Sequence, residues 1–272
     1  MFTFFLAFFS ANLLVGCSSD SENSMLVVSD KANTNEIVDS EQAYMLLTTD
    51  YLDYLNIVDK ELLNEMSIKE QIKTVMAYKL AEHITLADSL YTIDITKEEA
   101  EKMGISKEVY AQCYHDILVI NEEVSKIKGC KNHDIHLLDY KKFVKENKGV
   151  ENAFFYSLKA KKKEPQRGLI TTTSGDWGYT TFFPNIFHSK VEFLGYSNAA
   201  ILSVVTCSVE QWNNVHSGTA SGIMGQPLQI VLNLFVSGSG VSAKLGFKTA
   251  DSNGGSTTWR AMDDKGTTHE SK

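Results

Sequence analysis

Proline, cysteine and tryptophan are scarce in this chain, and basic residues are outnumbered by acidic ones. Its 272 residues include three Pro, four Cys and three Trp, and 26 Lys and Arg stand against 34 Asp and Glu, for a formal net charge of −8. A chain with this balance lacks the basic surface that nucleic-acid binding requires. Four cysteines are also too few for a scaffold held together mainly by disulfides. We therefore expect no nucleic-acid partner and a fold that is poor in disulfides.

Long apolar runs are also missing. The uncharged run from Phe2 to Val15 is shorter than the roughly 20 apolar residues that a membrane-spanning helix needs. Its length is typical of the apolar core of a secretory signal. A buried core helix is the alternative, but such a helix rarely opens a chain and then gives way to the polar residues CSSDSENS. We interpret residues 1–16 as a signal peptide.

The end of this run, Leu14-Val15-Gly16-Cys17, resembles the lipobox of bacterial lipoproteins. The resemblance implies cleavage before Cys17 and acylation of its thiol, so that Cys17 is the lipidation site. No Lys or Arg precedes the run, although such signals normally begin with positive charge. Either the free amino terminus suffices or the true start lies upstream of Met1. The resemblance covers about the first 22 residues and says nothing of the fold beyond them.

The residues after the cysteine refine the expected location. Ser18 to Glu22, SSDSE, resemble the acidic export signal of surface-exposed lipoproteins in some Gram-negative bacteria. The alternative is an ordinary polar tether, because Ser and Asp suit any disordered linker. We expect residues 17–40 to form a lipidated flexible tether. The protein would then be lipid-anchored at the outer membrane and displayed on the cell surface, with the periplasmic face as the alternative.

The remaining chain divides into two halves of different composition. Residues 18–164 hold 19 Lys and Arg against 27 Asp and Glu, whereas residues 165–272 hold 7 of each, all three Pro, all three Trp and 13 of the 17 Gly. The basic run at the boundary ends in Pro165 and Gly168, which is typical of a linker. We predict a helical domain over 41–158, a linker over 159–168, a β-domain over 169–262 and a tail over 263–272.

Helix signals dominate the acidic half. Ser67 with Glu70, and Thr96 with Glu99, form capping boxes, in which the two side chains satisfy each other's backbone amides. Ser106 begins a longer apolar stripe, and a further helix is predicted from about Ile135 to Asn147. Amphipathic helices joined by short turns are typical of a small helical bundle.

Strand signals dominate the neutral half. Apolar residues alternate with mostly polar ones over residues 228–236 and 241–248, on either side of Ser-Gly-Ser-Gly, which predicts a β-hairpin. With five further β-rich runs, about seven strands indicate an antiparallel β-sandwich or jelly roll. The fold class that we predict is therefore α+β. The segment from Trp212 to Pro227, rich in small residues, is interpreted as a loop.

Metal-binding and disulfide patterns are weak. Five side chains supply soft or borderline ligands near two helix ends: Cys113, His115, Cys130, His133 and His136. Their spacing matches no familiar zinc finger or ribbon. Cys113 falls on an apolar stripe, and a helix between it and Cys130 would separate the two by about 25 Å, too far for a disulfide. We predict no metal and no cofactor, and a disulfide from Cys207 to either of these cysteines stays open.

Catalytic patterns are weaker still. His216 and Ser221 lie near each other, but the Gly-x-Ser-x-Gly elbow of a nucleophilic serine is absent. Four other polar residues would need the fold to bring them together: Asp176, His188, Glu192 and Glu210. Surface charges are the simpler interpretation, so we predict no catalytic residue and lean against an enzyme.

Trp177 and Tyr179 are the predicted ligand contacts. Both follow Gly175 and flank Gly178, in what we interpret as a turn from which a large side chain can project. Aromatic faces on β-sandwich loops stack on apolar ligand surfaces, including sugars. Core packing is the alternative; Trp212 and Trp259 are weaker candidates because they adjoin apolar strand positions. The predicted function is a lipid-anchored binding or scaffold module for a glycan or protein partner, and the alternative is an anchored hydrolase of glycan or peptidoglycan.

Overall fold

A computed structural model describes residues 49–150, 170–184, 187–197, 200–235, 241–250, 256–264 and 267–269. The predicted signal peptide, the tether with Cys17 and the 159–168 linker lie outside these ranges. The described residues fold as a mixed α+β structure that is mostly antiparallel β-sheet, which confirms the α+β class. Within these ranges no helix has both the length and the apolar character needed to cross a membrane.

The part up to residue 150 contains both helices and short strands. The helices are α1 (Thr49–Leu55), α2 (Lys60–Glu65), α3 (Ile68–Ala81), α4 (Lys97–Lys102), α5 (Lys107–Ile127) and α6 (Tyr140–Asn147). The strands are β1 (Ile84–Ala87) and β2 (Leu90–Ile93), which pair with each other, and β3 (His133–His136). Because strands interrupt the helices, a helical bundle is not confirmed here.

Local capping signals position the helices as expected. Ser67 caps α3, and Thr96 caps α4, each in a complete capping box with the Glu three residues later. Ser106 caps α5 by accepting a hydrogen bond from the backbone N–H of Val109. These caps satisfy amides that a helix leaves unpaired at its start, so local sequence sets the starts of these three helices.

Two helix predictions in this part need correction. The helix predicted from Ile135 begins only at Tyr140, because residues 133–136 form β3, which pairs in parallel with a strand from the second half of the chain. Apolar residues spaced by three and four from Ile68 to Ile84 predict one helix, but that helix ends at Ala81 and Ile84 begins β1. Both segments take the conformation that a distant or neighbouring strand imposes on them.

The second half forms two antiparallel sheets. Its strands are β4 (Ile170–Thr173), β5 (Trp177–Phe182), β6 (Lys190–Ser197), β7 (Leu202–Gln211), β8 (Asn214–Ile223), β9 (Leu228–Asn233), β10 (Ala243–Ala250), β11 (Ser256–Asp263) and β12 (Thr268–His269). The first sheet has the order β3-β8-β7-β10-β5, and the second has the order β12-β11-β6-β9, with β4 also pairing with β11. The last strand, β12, falls in the segment predicted as a tail.

The predicted hairpin of residues 228–248 is wrong. Both runs are strands, but β9 pairs with β6 in the second sheet, whereas β10 lies between β7 and β5 in the first. The segment interpreted as a loop, in contrast, contains β8, which pairs with β7 along its whole length. The true hairpin of this region is β7–β8, joined by the two residues Trp212 and Asn213.

Apolar side chains from both sheets form one core cluster, to which β7 contributes Val205, Cys207 and Val209. The Trp259 ring, fully buried, stacks on Phe247 at 4.8 Å between centroids. A second core cluster combines the helices with the ends of β7 and β8. The alternation of buried and exposed residues along β7 and β10 therefore separates an inner face from an outer face in the first sheet.

Polar contacts also join the helical part to the first sheet. The Asp116 carboxylate on α5 accepts hydrogen bonds from the backbone amides of Ile201 and Leu202, at 3.0 and 2.9 Å. The hydroxyls of Tyr91 and Ser221 lie 2.6 Å apart. All described residues belong to one compact unit. The division into two domains remains a prediction, since its linker is outside the described residues.

Candidate functional site

Trp177 and Tyr179 lie on β5, the edge strand of the first sheet, and not in the turn that the sequence predicted. The turn precedes them: Gly175 has φ +91, a conformation that favours glycine, and donates its N–H to the Thr249 carbonyl. Strand alternation then directs Trp177 and Tyr179 outward, while Thr180 and Phe182 are buried. The two predicted ligand residues therefore share the outer face of one sheet.

The two aromatic rings are exposed and pack on each other. Trp177 is 39 % exposed and Tyr179 is 45 % exposed. Their planes are nearly parallel, at 11°, with centroids 5.9 Å apart, which is an offset stack. We call this pair the aromatic platform.

A glycine on the neighbouring strand makes room for the platform. Gly246 on β10 lies opposite Tyr179, and a Cβ atom there would come within 3.0 Å of the Tyr179 ring and 3.1 Å of the Trp177 ring. It would also meet the Ser208 hydroxyl at 2.5 Å. Because Gly246 has no side chain, both rings lie close over the backbone of β10.

A charged pair borders the platform on one side. The Lys244 ammonium lies over the Tyr179 ring, 4.0 Å from its centroid, and 3.9 Å from a carboxylate oxygen of Glu210. Among the described contacts, the Tyr179 ring has both Lys244 and Trp177 as partners, whereas the Trp177 ring has Tyr179 alone. We therefore expect Trp177 to be the main stacking surface for a ligand.

Beyond Gly246, hydroxyl side chains continue across the same face. Strand register places Ser208 and Ser217 in line with Tyr179. It places Thr206 and Thr219 in line with Trp177, with Lys248 on β10 between Trp177 and Thr206. The two threonine hydroxyls lie 2.9 Å apart. We call these four residues, Thr206, Ser208, Ser217 and Thr219, the hydroxyl row. Since neighbouring strands are about 4.8 Å apart, the row extends the platform by two to three strand spacings.

An imidazole closes the far end of the row. His133 on β3 places Nδ1 2.6 Å from the Ser217 hydroxyl and Nε2 2.9 Å from that of Thr219. Burial lowers the pKa of His133 below its ordinary value of 6.5, an effect that Asp134 opposes and His216 reinforces. The imidazole is therefore neutral at neutral pH. Thr219 is fully buried, so Thr206, Ser208 and Ser217 supply the uncharged groups of the row that can donate and accept hydrogen bonds at the surface.

The other tryptophans occupy contrasting positions. Trp259 lies in the core, where its indole N–H donates to the Thr172 hydroxyl at 2.6 Å, so it is no ligand contact. Trp212 is 64 % exposed at the β7–β8 turn and has a positive φ of 52. Such a backbone is unusual for a bulky residue, but Trp212 lies at one end of the sheet, away from the platform.

The structure does not bring the four candidate catalytic residues together. Asp176 lies in the turn before β5, and Glu210 pairs with Lys244 on β10. Glu192 belongs to the second sheet and accepts from Gln229, whereas His188 contacts Asp263. Ser221 also has a structural role, because its oxygen accepts the N–H of Leu138 at 2.8 Å.

The cysteines and the proposed zinc ligands are likewise apart. Cys113 and Cys207 are buried and Cys130 is exposed, and all three are free, so none of them forms the disulfide that the sequence left open. Burial raises the pKa of the Cys113 and Cys207 thiols well above its ordinary value, which makes both unreactive. His133 contacts the hydroxyl row instead of a cysteine.

A shallow cavity of about 540 Å³ lies elsewhere, among the helices. Its lining consists of Asp53, Glu82, His83, Lys141, Lys145 and Lys148. Acidic partners engage Lys141, at 3.3 Å from Asp94, and Lys148, at 3.5 Å from Glu82. Mixed, mutually paired charges of this kind are typical of a solvated surface rather than of a built site.

The sequence predicts the two residues of the platform but not the residues around them. Gly246, Lys244 and the hydroxyl row join the two rings only through strand pairing. Half of that row, Ser217 and Thr219, lies on β8, whose sequence has no alternating apolar pattern and so predicts a loop. The alternation along β7 does place Thr206 and Ser208 on one face, so the sequence contains a signal for that half of the row.

Comparisons with known proteins add little. No family model matches the chain, and no curated protein matches it. TmCBM61 in complex with beta-1,4-galactotriose is 8 % identical over 35 % of this chain and 70 % of that chain, with a TM-score of 0.26. The infectious bursal disease virus Gt strain structure is 16 % identical over 36 % of this chain and 32 % of that chain, with a TM-score of 0.20. Similarities at these scores carry no argument about function.

Proposed function

We propose that this chain is a lipid-anchored envelope protein, displayed at the cell surface, whose β-sandwich binds a glycan on the outer face of its first sheet. The observation that carries the binding function is the exposed aromatic platform next to an uncharged hydroxyl row. The observation behind the anchor is the lipobox-like sequence that ends in Cys17.

The chemistry of the face favours a glycan over a protein partner. A sugar ring presents an apolar face, which stacks on an aromatic ring, and a rim of hydroxyls, which need neutral donors and acceptors. Trp177 supplies the first and Ser208, Ser217 and His133 supply the second. Protein interfaces instead concentrate large apolar anchors in their core. A protein partner therefore remains an outcome of the test and not the proposal.

Replacing Trp177 tests the proposed site. An array of neutral oligosaccharides, read with the full chain in detergent, identifies the ligand. We expect Trp177→Ala to weaken its binding about tenfold or more, because a stacked aromatic adds about 0.5–1.5 kcal/mol beyond its buried area. The melting temperature should stay nearly unchanged, since the ring is exposed.

Trp212→Ala is the matched control, because this ring is also exposed but lies at the end of the same sheet. Its glycan binding should equal that of the unaltered chain. Equal loss in both variants would contradict the proposed site, and the absence of binding to any oligosaccharide on the array would contradict the glycan proposal. A hydrolase panel on the same oligosaccharides would contradict a purely binding role if products appear.

Replacing Cys17 tests the anchor separately. We expect palmitate to label the unaltered chain, and Cys17→Ala to remain an unprocessed precursor or to be released as soluble protein. Normal cleavage and membrane retention of this variant would contradict the anchor. Protease treatment of intact cells then distinguishes surface display, where the chain is degraded, from the periplasmic face, where it is protected.

A further inference from the structure

Three potential metal ligands meet near the end of the second sheet. His188 precedes β6, Asp263 ends β11 and Asp264 follows it; one donor atom from each lies within 4.8 Å of those of the other two. Within the residues that the structure describes, no other three His, Cys, Asp or Glu side chains have this geometry. His188 and Asp263 are buried, whereas Asp264 is exposed, so the group opens to solvent on one side.

The donor distances suit a metal with short bonds. A tetrahedral site with bonds of about 2.0–2.1 Å holds neighbouring ligand atoms about 3.3 Å apart. His188 Nε2 and Asp263 Oδ2 are 3.5 Å apart. One imidazole with two carboxylates favours Zn²⁺ or Mn²⁺ over Ca²⁺, which prefers six or more oxygen ligands.

Other groups already orient both carboxylates. Asp263 Oδ1 accepts the backbone N–H of Thr267 at 3.0 Å, and His269 Nε2 lies 3.1 Å from its Oδ2. Ser189 donates both its N–H and its hydroxyl to Asp264, each at 2.8 Å. Outer contacts of this kind hold metal ligands in place. The centroid of the Phe182 ring lies 5.2 Å from that of the His188 ring, so Phe182 covers one side of this imidazole.

We propose that His188, Asp263 and Asp264 bind one divalent transition-metal ion, of which Zn²⁺ is the best fit, with a remaining coordination position open to solvent. The ion would join the connection between β5 and β6 to the end of β11. His269 would act as a positioning residue through Asp263. The proposal is independent of glycan binding, since the site uses the second sheet and the platform lies on the first.

Calorimetric titration of the full chain, in detergent and without an affinity tag, tests this site. Zn²⁺, Mn²⁺ and Ca²⁺ are added separately after chelator treatment. We expect one Zn²⁺ per chain and a rise in melting temperature on addition, because an ion that binds the folded state stabilises it. Asp264→Asn should weaken Zn²⁺ binding at least tenfold while the circular dichroism spectrum is unchanged, since this side chain is exposed.

His216→Gln is the matched control. His216 Nε2 lies 2.9 Å from Asp134 Oδ2, so it forms a similar His–Asp pair, but this pair is not part of a group of three such ligands within the described residues. Zn²⁺ binding should be the same as in the unaltered chain. The proposal is overturned if the unaltered chain binds no Zn²⁺, if Ca²⁺ binds more tightly than Zn²⁺, or if Asp264→Asn has no more effect than His216→Gln.

Discussion

A single imidazole links the helical part of this chain to the candidate glycan-binding face. His133 on β3 contacts the hydroxyls of Ser217 and Thr219, and its burial lowers its pKa and so favours the neutral imidazole. Gly246 contributes in the opposite way, since the absence of a side chain admits two aromatic rings. At the scale of residues, the face therefore depends both on side chains that make contacts and on a position that has no side chain.

The lowered pKa of His133 makes stability depend on pH. Below 6.5 the unfolded chain binds a proton at this imidazole more readily than the folded chain does, so the free energy of unfolding falls as pH drops from 7 to 5. His133→Gln removes this contribution and keeps an amide beside Ser217. We expect urea denaturation of this variant to show a shallower loss of stability between pH 7 and 5.

The slope in this experiment should not vanish, because burial also lowers the pKa of His269. His115→Gln, at an exposed position on α5, is the control and should keep the slope of the unaltered chain. If stability depended on pH with the same slope in the His133 and His115 variants, the pKa of His133 would be the same in the folded and unfolded chain, which would contradict the prediction.

At the scale of elements, one buried carboxylate joins helix α5 to strand β7. Asp116 accepts from two consecutive amides, those of Ile201 and Leu202, at the start of β7. Both amides come before Val204, the first residue of β7 that pairs with β10. The side chains of Ile201, Leu202 and Val204 belong to the core cluster that the sheet shares with the helices. The carboxylate thus fixes where the helix meets the sheet.

Asp116→Ala should therefore be strongly destabilising. Each buried N–H left without an acceptor costs about 1–3 kcal/mol, so we expect the free energy of unfolding to fall by about 3 kcal/mol or more. Asp116→Asn keeps an acceptor oxygen and should cost less. Glu122→Ala, on the exposed face of α5, should change the stability by less than about 0.5 kcal/mol. Chemical denaturation measures all three, and equal losses in the Ala and Asn variants would contradict the acceptor role.

At the scale of the whole molecule, the helices and sheets share a core. Leu80 on α3 and Ile223 on β8 belong to the same apolar cluster, and β3 extends the first sheet from the helical part. The predicted two-domain division implies that the halves can unfold separately, whereas a shared core favours a single transition.

The distribution of tryptophan makes this testable. All three Trp lie in the second half, so their fluorescence reports on the sheets, and circular dichroism at 222 nm reports mainly on the helices. Leu80→Ala removes a fully buried side chain and should cost about 2–5 kcal/mol. We expect both signals to shift to the same lower midpoint. Leu118→Ala, at an exposed position, should move neither, and an unshifted fluorescence midpoint in Leu80→Ala would support two independent domains.

The sequence by itself determined the features that depend on neighbours along the chain. The capping boxes at Ser67 and Thr96 begin α3 and α4 because their hydrogen bonds span only three residues. Alternation in residues 228–236 and 241–248 predicted strands, because a strand's two faces differ wherever one is buried. The ligand contact at Trp177 and Tyr179 stays a prediction, although both rings are exposed.

Only the tertiary structure decided which strands pair and which segments become strands. The adjacent strands β9 and β10 enter different sheets, because each buries its apolar face in the core between the sheets and finds its edge partners elsewhere. Strand β8 carries Gly218 and Gly222 where a Cβ would meet Leu232 or Leu228, so its small residues serve packing and hide the strand pattern. Those constraints join residues far apart along the chain, and a local pattern cannot contain them.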